Sequence, residues 1–291
     1  MRAFPKKIIL CLICFFLFPA SGQARPGLSA NNAVLIDQET GELLFEKNAH
    51  EKQSVASITK VMTAIIAIES GKLDEVSATS RRAIYTEGSS IYLEQGEKMT
   101  VEDLVYGLML RSGNDAAVAI SEQIGGSVEG FVYLMNEKAE WIGMQNTHFD
   151  NPHGLESPTH YSTAYDMALL LRYAMENKTF QKISGTKMHK AENRTYSWKN
   201  KNRLLTEKYK YCTGGKTGFT KKAGRTLLTS AKKGNKALVA VTLNAPDDWN
   251  DHIQMFEWGF SQATSAMKPD QGGLLAEDAV SLVFRILRVN R

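Results

Sequence analysis

Both ends of this chain read as β-hairpins, and most of what lies between them reads as helix. The first hairpin is "AVLIDQETGELLFEKN", Ala33 to Asn48, turning at Glu39-Thr40-Gly41. The second runs from Arg225 to Ala231, turns at Lys233-Gly234-Asn235, and returns from Ala237 to Asn244. Apolar runs flanking a Gly-containing turn are the hairpin signal. A two-stranded hairpin is marginal in water by itself. The two ends are therefore expected to join in one sheet, with the helical middle packed against it. The expected fold class is α/β (α+β), a mainly antiparallel sheet from both chain ends flanked by helices. A mostly helical second lobe is expected at about residues 75–165.

Within the middle, Val61 to Ile68 is apolar nearly all round, which calls for a buried helix starting near Ser57 and closed by Gly71. "TVEDLVYGLMLRSGNDAAVAISEQIGG" reads as two helices broken at Ser112-Gly113-Asn114, where Gly113 permits a sharp bend. Thr100 with Asp103 resembles a capping box, and Gly125-Gly126 ends the second helix. "SVEGFVYLMNEKAEWIGM", "TAYDMALLLRYAMEN" and "WNDHIQMFEWGFSQA" supply three more helices.

The first 24 residues have the form of an export leader. Arg2, Lys6 and Lys7 precede an apolar run from Ile8 to Phe18, and small residues end at Ala24. The apolar run is too short to cross a bilayer, which takes about 20 residues. The net charge of +4 falls to +1 without this leader, so a nucleic-acid partner is not implied. Cys11 and Cys14 leave with it. Only Cys212 remains, which excludes an internal disulfide. Cys212 reads as a small buried strand residue. The last stretch, within residues 263–291, carries an amphipathic helix over about 276–290. Its basic end and apolar face fit a membrane surface or the protein's own sheet, and the residues leave both readings open. Only 30 residues follow Ser261, so no further domain is expected after a catalytic domain at 25–262.

"CTGGKTGFT" contains Gly215-Lys216-Thr217, the tail of a phosphate-binding loop. That motif requires a glycine at position 210, which is Lys210, and it should open a helix. The phosphate reading fails on both counts. The same letters contain Lys216-Thr217-Gly218, one of three elements that can build an acyl-transfer site. Another is Ser-x-x-Lys, since residues three apart share a helix face and a neutral lysine can take a serine proton. Three copies occur, and only Ser57/Lys60 opens a buried helix; Ser184/Lys187 and Ser230/Lys233 lie in turn-like and strand-end contexts. The last element is Ser-x-Asn on a tight turn. Ser112-Gly113-Asn114 meets it between two helices, whereas Ser29-Ala30-Asn31 reads as loop.

In these contexts the chain resembles the low-molecular-mass penicillin-binding D-alanyl-D-alanine carboxypeptidases of the serine beta-lactamase-like superfamily. "ASITKVMTA", "LMLRSGNDAA", "NPHGL" and "GGKTGFT" match that family's local signatures, and the likeness covers about Ala33 to Phe260. It implies a beta-lactamase/DD-peptidase-like fold with no cofactor and no metal. It implies that Ser57 attacks the penultimate D-alanine carbonyl, with Lys60 as base and Ser112 relaying a proton to the leaving amine. Asn114 would hold substrate and Lys60. Lys216 and Thr217 would receive the terminal carboxylate, with Lys216 also supporting Ser112. Gly218 would leave room along the strand edge. The backbone N–H groups of Ser57 and Phe219 would form the oxyanion hole. His153 of "NPHGL" would position its loop. The implied partners are peptidoglycan stem peptides ending in D-Ala-D-Ala, with beta-lactams as covalent inhibitors, outside the cytoplasmic membrane or in the wall.

Three other functions fit the residues less well. A class A beta-lactamase needs Glu-x-x-x-Asn in the loop near Glu156, and the Asn is missing. A metallopeptidase would draw on His148, His153 and His160, but no His-Glu-x-x-His is present. A non-catalytic wall-binding or penicillin-sensing protein would carry a degraded site, and all three elements are intact.

Overall fold

β-branched and leucine-rich runs at the two ends of the chain do meet in one sheet. The computed structural model describes residues 24–266. Its elements are β1 (Asn32–Asp37), β2 (Leu43–Lys47), α1 (Lys60–Glu69), β3 (Val76–Ala78), α2 (Arg81–Ile84) and β4 (Lys98–Thr100). Then follow α3 (Val101–Tyr106), α4 (Asn114–Gly125), α5 (Val128–Ile142), α6 (Ala164–Ala174) and α7 (Lys178–Ser184). The chain closes with β5 (Met188–His189), β6 (Trp198–Lys199), β7 (Cys212–Thr220), β8 (Gly224–Lys233), β9 (Lys236–Leu243) and α8 (Asp248–Ala266). The leader and the amphipathic segment at 276–290 lie outside the described residues.

The main sheet has the order β2-β1-β9-β8-β7, and every neighbouring pair is antiparallel. Strand β1 pairs with β9, so the N-terminal hairpin extends the C-terminal one. The β8–β9 turn falls at Gly234, whose φ of +61° suits a residue without a Cβ. Alternation sorts the central strands into two cores. Leu228, Val239 and Val241 face a core shared with α1 and α6, while Leu227, Leu238 and Ala240 face Met255 and Phe256 of α8. The sheet is thus covered on both sides. Helix α1 explains its unbroken apolar run, because every residue from Lys60 to Ile68 is buried.

The local chemistry of the breaks also follows the sequence, with three differences. Thr100 caps α3 by accepting from the Asp103 N–H at 3.2 Å. Gly126 ends α4 in the left-handed conformation. Helix α1, expected to open near Ser57, begins at Lys60, after a 3-10 turn over Ala56–Thr59. Ala56 itself has a φ of +51°, a strained value for a residue with a Cβ. At the second break it is Ser112, not Gly113, that takes the left-handed conformation, with a φ of +67° after a π-helical turn over Gly107–Arg111. Gly113 is needed for space: a Cβ there would lie 2.8 Å from the Asp115 carboxylate and 3.1 Å from Ile91. Finally, α7 ends at Ser184, where turn-like sequence was expected.

Candidate active site

The 3-10 turn brings Ser57 and Lys60 together at the start of α1. Lys60 Nζ lies 3.0 Å from Ser57 Oγ. It also donates to Asn114 Oδ1 at 2.7 Å and to the His153 carbonyl at 2.6 Å. The amide of Asn114 is fixed in turn, since its Nδ2 donates to the Glu87 carbonyl. The other two serine–lysine pairs are structural. Ser184 Oγ packs on Met175 and the Gln181 carbonyl, and Ser230 Oγ donates to Gln38.

The chemistry follows from the two acceptors. The Asn114 and His153 oxygens can only accept. A neutral Lys60 amine gives them its two N–H bonds and leaves its lone pair for the Ser57 hydroxyl proton. Its environment favours that neutral form. Burial lowers the Lys60 pKa well below the ordinary value, and the positive charges of Lys216 and Lys201 lower it further, against an opposing effect of Asp115. A lysine shifted in this direction is suited to accept a proton from a neighbouring hydroxyl.

The His153 carbonyl is placed by a stiff loop. Asn151 Oδ1 accepts from the N–H groups of His153 and Gly154 at 3.3 Å and 2.7 Å. Thr63 Oγ1 donates to the Pro152 carbonyl at 2.6 Å. Gly154, with a φ of +86°, packs so closely that a Cβ would lie 1.9 Å from the Ala56 carbonyl oxygen. His160 joins the loop to the turn. It accepts from the Asp150 N–H at Nδ1, so its proton sits on Nε2 and points to Thr59 Oγ1 at 2.9 Å. Burial holds the pKa of His160 down to about 4 and that of His153 to about 3, so both rings are neutral.

Strand β7 forms the opposite wall. Gly218 presses on the serine turn: a Cβ would lie 2.9 Å from the Ser57 nitrogen and 3.2 Å from that of Ile58. Thr226 Oγ1 ties the same strands to the turn through the Val55 carbonyl at 3.0 Å. Lys216 is buried, and its Nζ donates to the Thr217 carbonyl at 2.8 Å rather than to Ser112. Burial and the neighbouring Lys201 charge lower its pKa to about 7. A cleft of about 300 Å³ opens between the walls, lined by Ser57, Ser112, Thr217, Gly218 and Phe219. The structure therefore brings all eight sequence-predicted site residues to one place, with Lys60, Asn114 and Lys216 buried behind the cleft surface.

Several residues here carry no sequence motif. Ser89, Lys201, Arg225, Asp248 and Trp249 also line the cleft. Asp115 holds the loop that contributes Ser89, accepting from the N–H groups of Ile91 and Leu93 at 3.0 Å and 3.1 Å. Its place one residue after Asn114 was the only available signal. Glu156 lies off the cleft lining, and its carboxylate accepts from Thr220 Oγ1 and the Lys222 N–H. Cys212 is buried on β7, where burial pushes its thiol up to about 12, so it is no nucleophile.

Comparison with known proteins agrees with this geometry. Residues 20–247 match the D-alanyl-D-alanine carboxypeptidase family. The chain is 41% identical over 245 residues to the D-alanyl-D-alanine carboxypeptidase DacF of Bacillus subtilis, covering 80% of this chain and 62% of that protein. It is 34% identical over 264 residues to DacC of Escherichia coli, also named a D-alanyl-D-alanine carboxypeptidase, covering 84% and 65%. It thus spans somewhat less than two thirds of these relatives. A solved D-alanyl-D-alanine carboxypeptidase from Mycobacterium tuberculosis superposes with a TM-score of 0.78 at 29% identity, covering 87% of this chain and 97% of that one.

Proposed function

The chain belongs to the D-alanyl-D-alanine carboxypeptidase family, and from that premise we propose that it removes the terminal D-alanine from peptidoglycan pentapeptides through an acyl-enzyme on Ser57. The observation that carries the proposal is the Lys60 nitrogen, held between Ser57 Oγ, Asn114 Oδ1 and the His153 carbonyl.

Substrate lies along the exposed edge of β7, with its scissile carbonyl above Ser57. Lys60 takes the hydroxyl proton as Ser57 Oγ bonds to the carbonyl carbon. The resulting oxyanion sits between the N–H groups of Ser57 and Phe219, an element worth roughly 10²–10³ in rate per donor in other enzymes. The carbon–nitrogen bond then breaks. The leaving D-alanine nitrogen takes the proton now on Lys60, relayed by Ser112. Water attacks the ester and gives a proton to Lys60, and the acyl product departs as Ser57 regains its hydroxyl. Lys216 and Thr217 face the terminal carboxylate. A beta-lactam enters the first half of this cycle and remains on Ser57.

One observation favours persistence of that adduct over rapid lactam hydrolysis. Glu156, the glutamate of the relevant loop, is engaged by Thr220 and Lys222 away from the cleft lining. The leader at 1–24 delivers the enzyme across the cytoplasmic membrane to its wall substrate.

The test is D-alanine release from a synthetic pentapeptide ending in D-Ala-D-Ala. The wild-type protein releases one D-alanine per peptide, and Ser57→Ala releases none. Equal release by both proteins would refute the proposal.

A further inference from the structure

A second cavity, of about 270 Å³, lies beyond His153 and includes none of the three motifs. Val118 of α4 and Val128 and Val132 of α5 make its apolar side. Arg82 of α2, Glu129 of α5, and Asp150 and His153 of the adjoining loop make its polar side.

His153 joins this cavity to the reaction. It lines the cavity, while its carbonyl accepts from Lys60 Nζ at 2.6 Å. Its ring Nδ1 accepts from the Leu155 N–H at 3.2 Å, so the ring proton sits on Nε2. That N–H has no acceptor among the described residues. Burial, then the charges of Lys60, His160 and Arg82, hold the ring's pKa to about 3. The ring is therefore a neutral donor.

The polar side carries both signs of charge. Arg82 Nη1 donates to Glu129 Oε1 at 2.8 Å, and the guanidinium has no other acceptor among the described residues. The Asp150 carboxylate receives the Thr159 hydroxyl at 2.9 Å and stands 3.1 Å from His148 Nδ1. A carboxylate has about four acceptor positions, so Asp150 keeps capacity for another donor. These groups fit a zwitterionic α-amino acid with a small apolar side chain. Its carboxylate takes the free N–H groups of Arg82 and His153, and its ammonium takes Asp150. Its side chain packs on the three valines.

Occupancy reaches Lys60 through His153. Lys60 gains a proton as Ser57 is acylated, so its bond to the His153 carbonyl becomes charge-assisted in that step. A ligand that draws His153 toward the cavity weakens this bond, and costs the transition state more than the resting enzyme.

We propose that this cavity is a regulatory site for a free zwitterionic amino acid, whose binding slows acylation of Ser57 by drawing the His153 carbonyl from Lys60. The role rests on the acyl-enzyme reading of the preceding subsection, in which the reaction itself supplies such a molecule, D-alanine.

Benzylpenicillin acylates Ser57 without releasing D-alanine, so it separates the two readings. The limiting acylation rate at saturating benzylpenicillin is measured with D-alanine, D-valine, N-acetyl-D-valine or D-valinamide added. D-Alanine and D-valine are expected to lower it by about fivefold, the lower end of ordinary coupling between sites. The two singly charged derivatives leave it unchanged. Val132→Phe, which fills the apolar side, and Arg82→Gln each abolish the effect, judged against each variant's own rate without amino acid. Arg82→Gln, a substitution at the cavity rim, carries the test if Val132→Phe does not fold. Inhibition that saturating benzylpenicillin relieves marks competition in the cleft and overturns the proposal. So does a limiting rate that neither amino acid changes, or an effect that persists in both variants. Each of these leaves the acyl-enzyme reading standing. Failure of benzylpenicillin to acylate Ser57 in wild type overturns both.

Discussion

Lys60 Nζ lies 3.0 Å from Ser57 Oγ, while its two other contacts, Asn114 Oδ1 and the His153 carbonyl, can only accept. The proposed direction of proton flow, from Ser57 to Lys60, rests on that asymmetry. A neutral amine has two protons for two obligate acceptors, and its lone pair faces the serine.

Asn114→Asp tests this asymmetry. A carboxylate in contact with Lys60 favours the ammonium and raises its pKa. A third N–H then occupies the position of the lone pair. Acylation of Ser57 at pH 7 is expected to fall by about 100-fold, the scale of general-base catalysis. The rising limb of its pH profile should move to higher pH. Asn114→Ala slows acylation without that upward displacement. Beta-lactam acylation rates between pH 5 and 10 distinguish the two.

Gly218→Ala tests the contact between β7 and the serine turn. The added Cβ would lie 2.4 Å from Thr226 Oγ1 and 2.9 Å from the Ser57 nitrogen. Overpacking of this kind costs about 1–3 kcal/mol. Because the displaced group is the proposed oxyanion donor, acylation is expected to fall at least tenfold even where the protein remains folded. Gly71→Ala is the control. Gly71 has a φ of +72° and nothing within 4 Å of the added Cβ, so it loses a similar amount of stability while acylation is unchanged. Thermal midpoints and acylation rates together make the comparison.

Acid should destabilise the fold through its buried histidines. His252 bridges Thr229 and Thr242 at 2.7 Å and 3.1 Å, and burial lowers its pKa to about 3. His160 and His153 are lowered to about 4 and about 3. Below the ordinary value of 6.5 the unfolded chain takes up protons that the folded chain refuses. Stability is therefore complete above that value and is lost as pH falls from there toward 4, by up to about 1.4 kcal/mol per pH unit for each histidine. Urea midpoints at pH 7, 6, 5 and 4 measure the slope, and His252→Gln should make it shallower.

The sheet and the three chemical elements were legible because each has a short-range signal. Gly234 marks a hairpin, and Ser57 with Lys60 spans one helical turn. What was not legible depends on contacts made at long range. The crowding that requires glycine at 113 arises from Ile91 and Asp115, and the π-helical turn leading into Ser112 has no local mark in the sequence. Helix α7 is seven residues long, too short to show a period. Its one local mark was Asn177, whose Oδ1 accepts from the N–H groups of Thr179 and Phe180 at 2.9 Å and 3.1 Å. Arg225 sits beside the most recognisable motif, yet only the pairing of β7 with β8 and the approach of α8 bring it to the cleft.

The most direct measurement is intact-protein and peptide mass spectrometry after incubation with benzylpenicillin. The account predicts one stable adduct per chain, on the peptide that carries Ser57, and none in Ser57→Ala. An adduct on any other residue, no adduct, or hydrolysis of the lactam with no persistent adduct would contradict it.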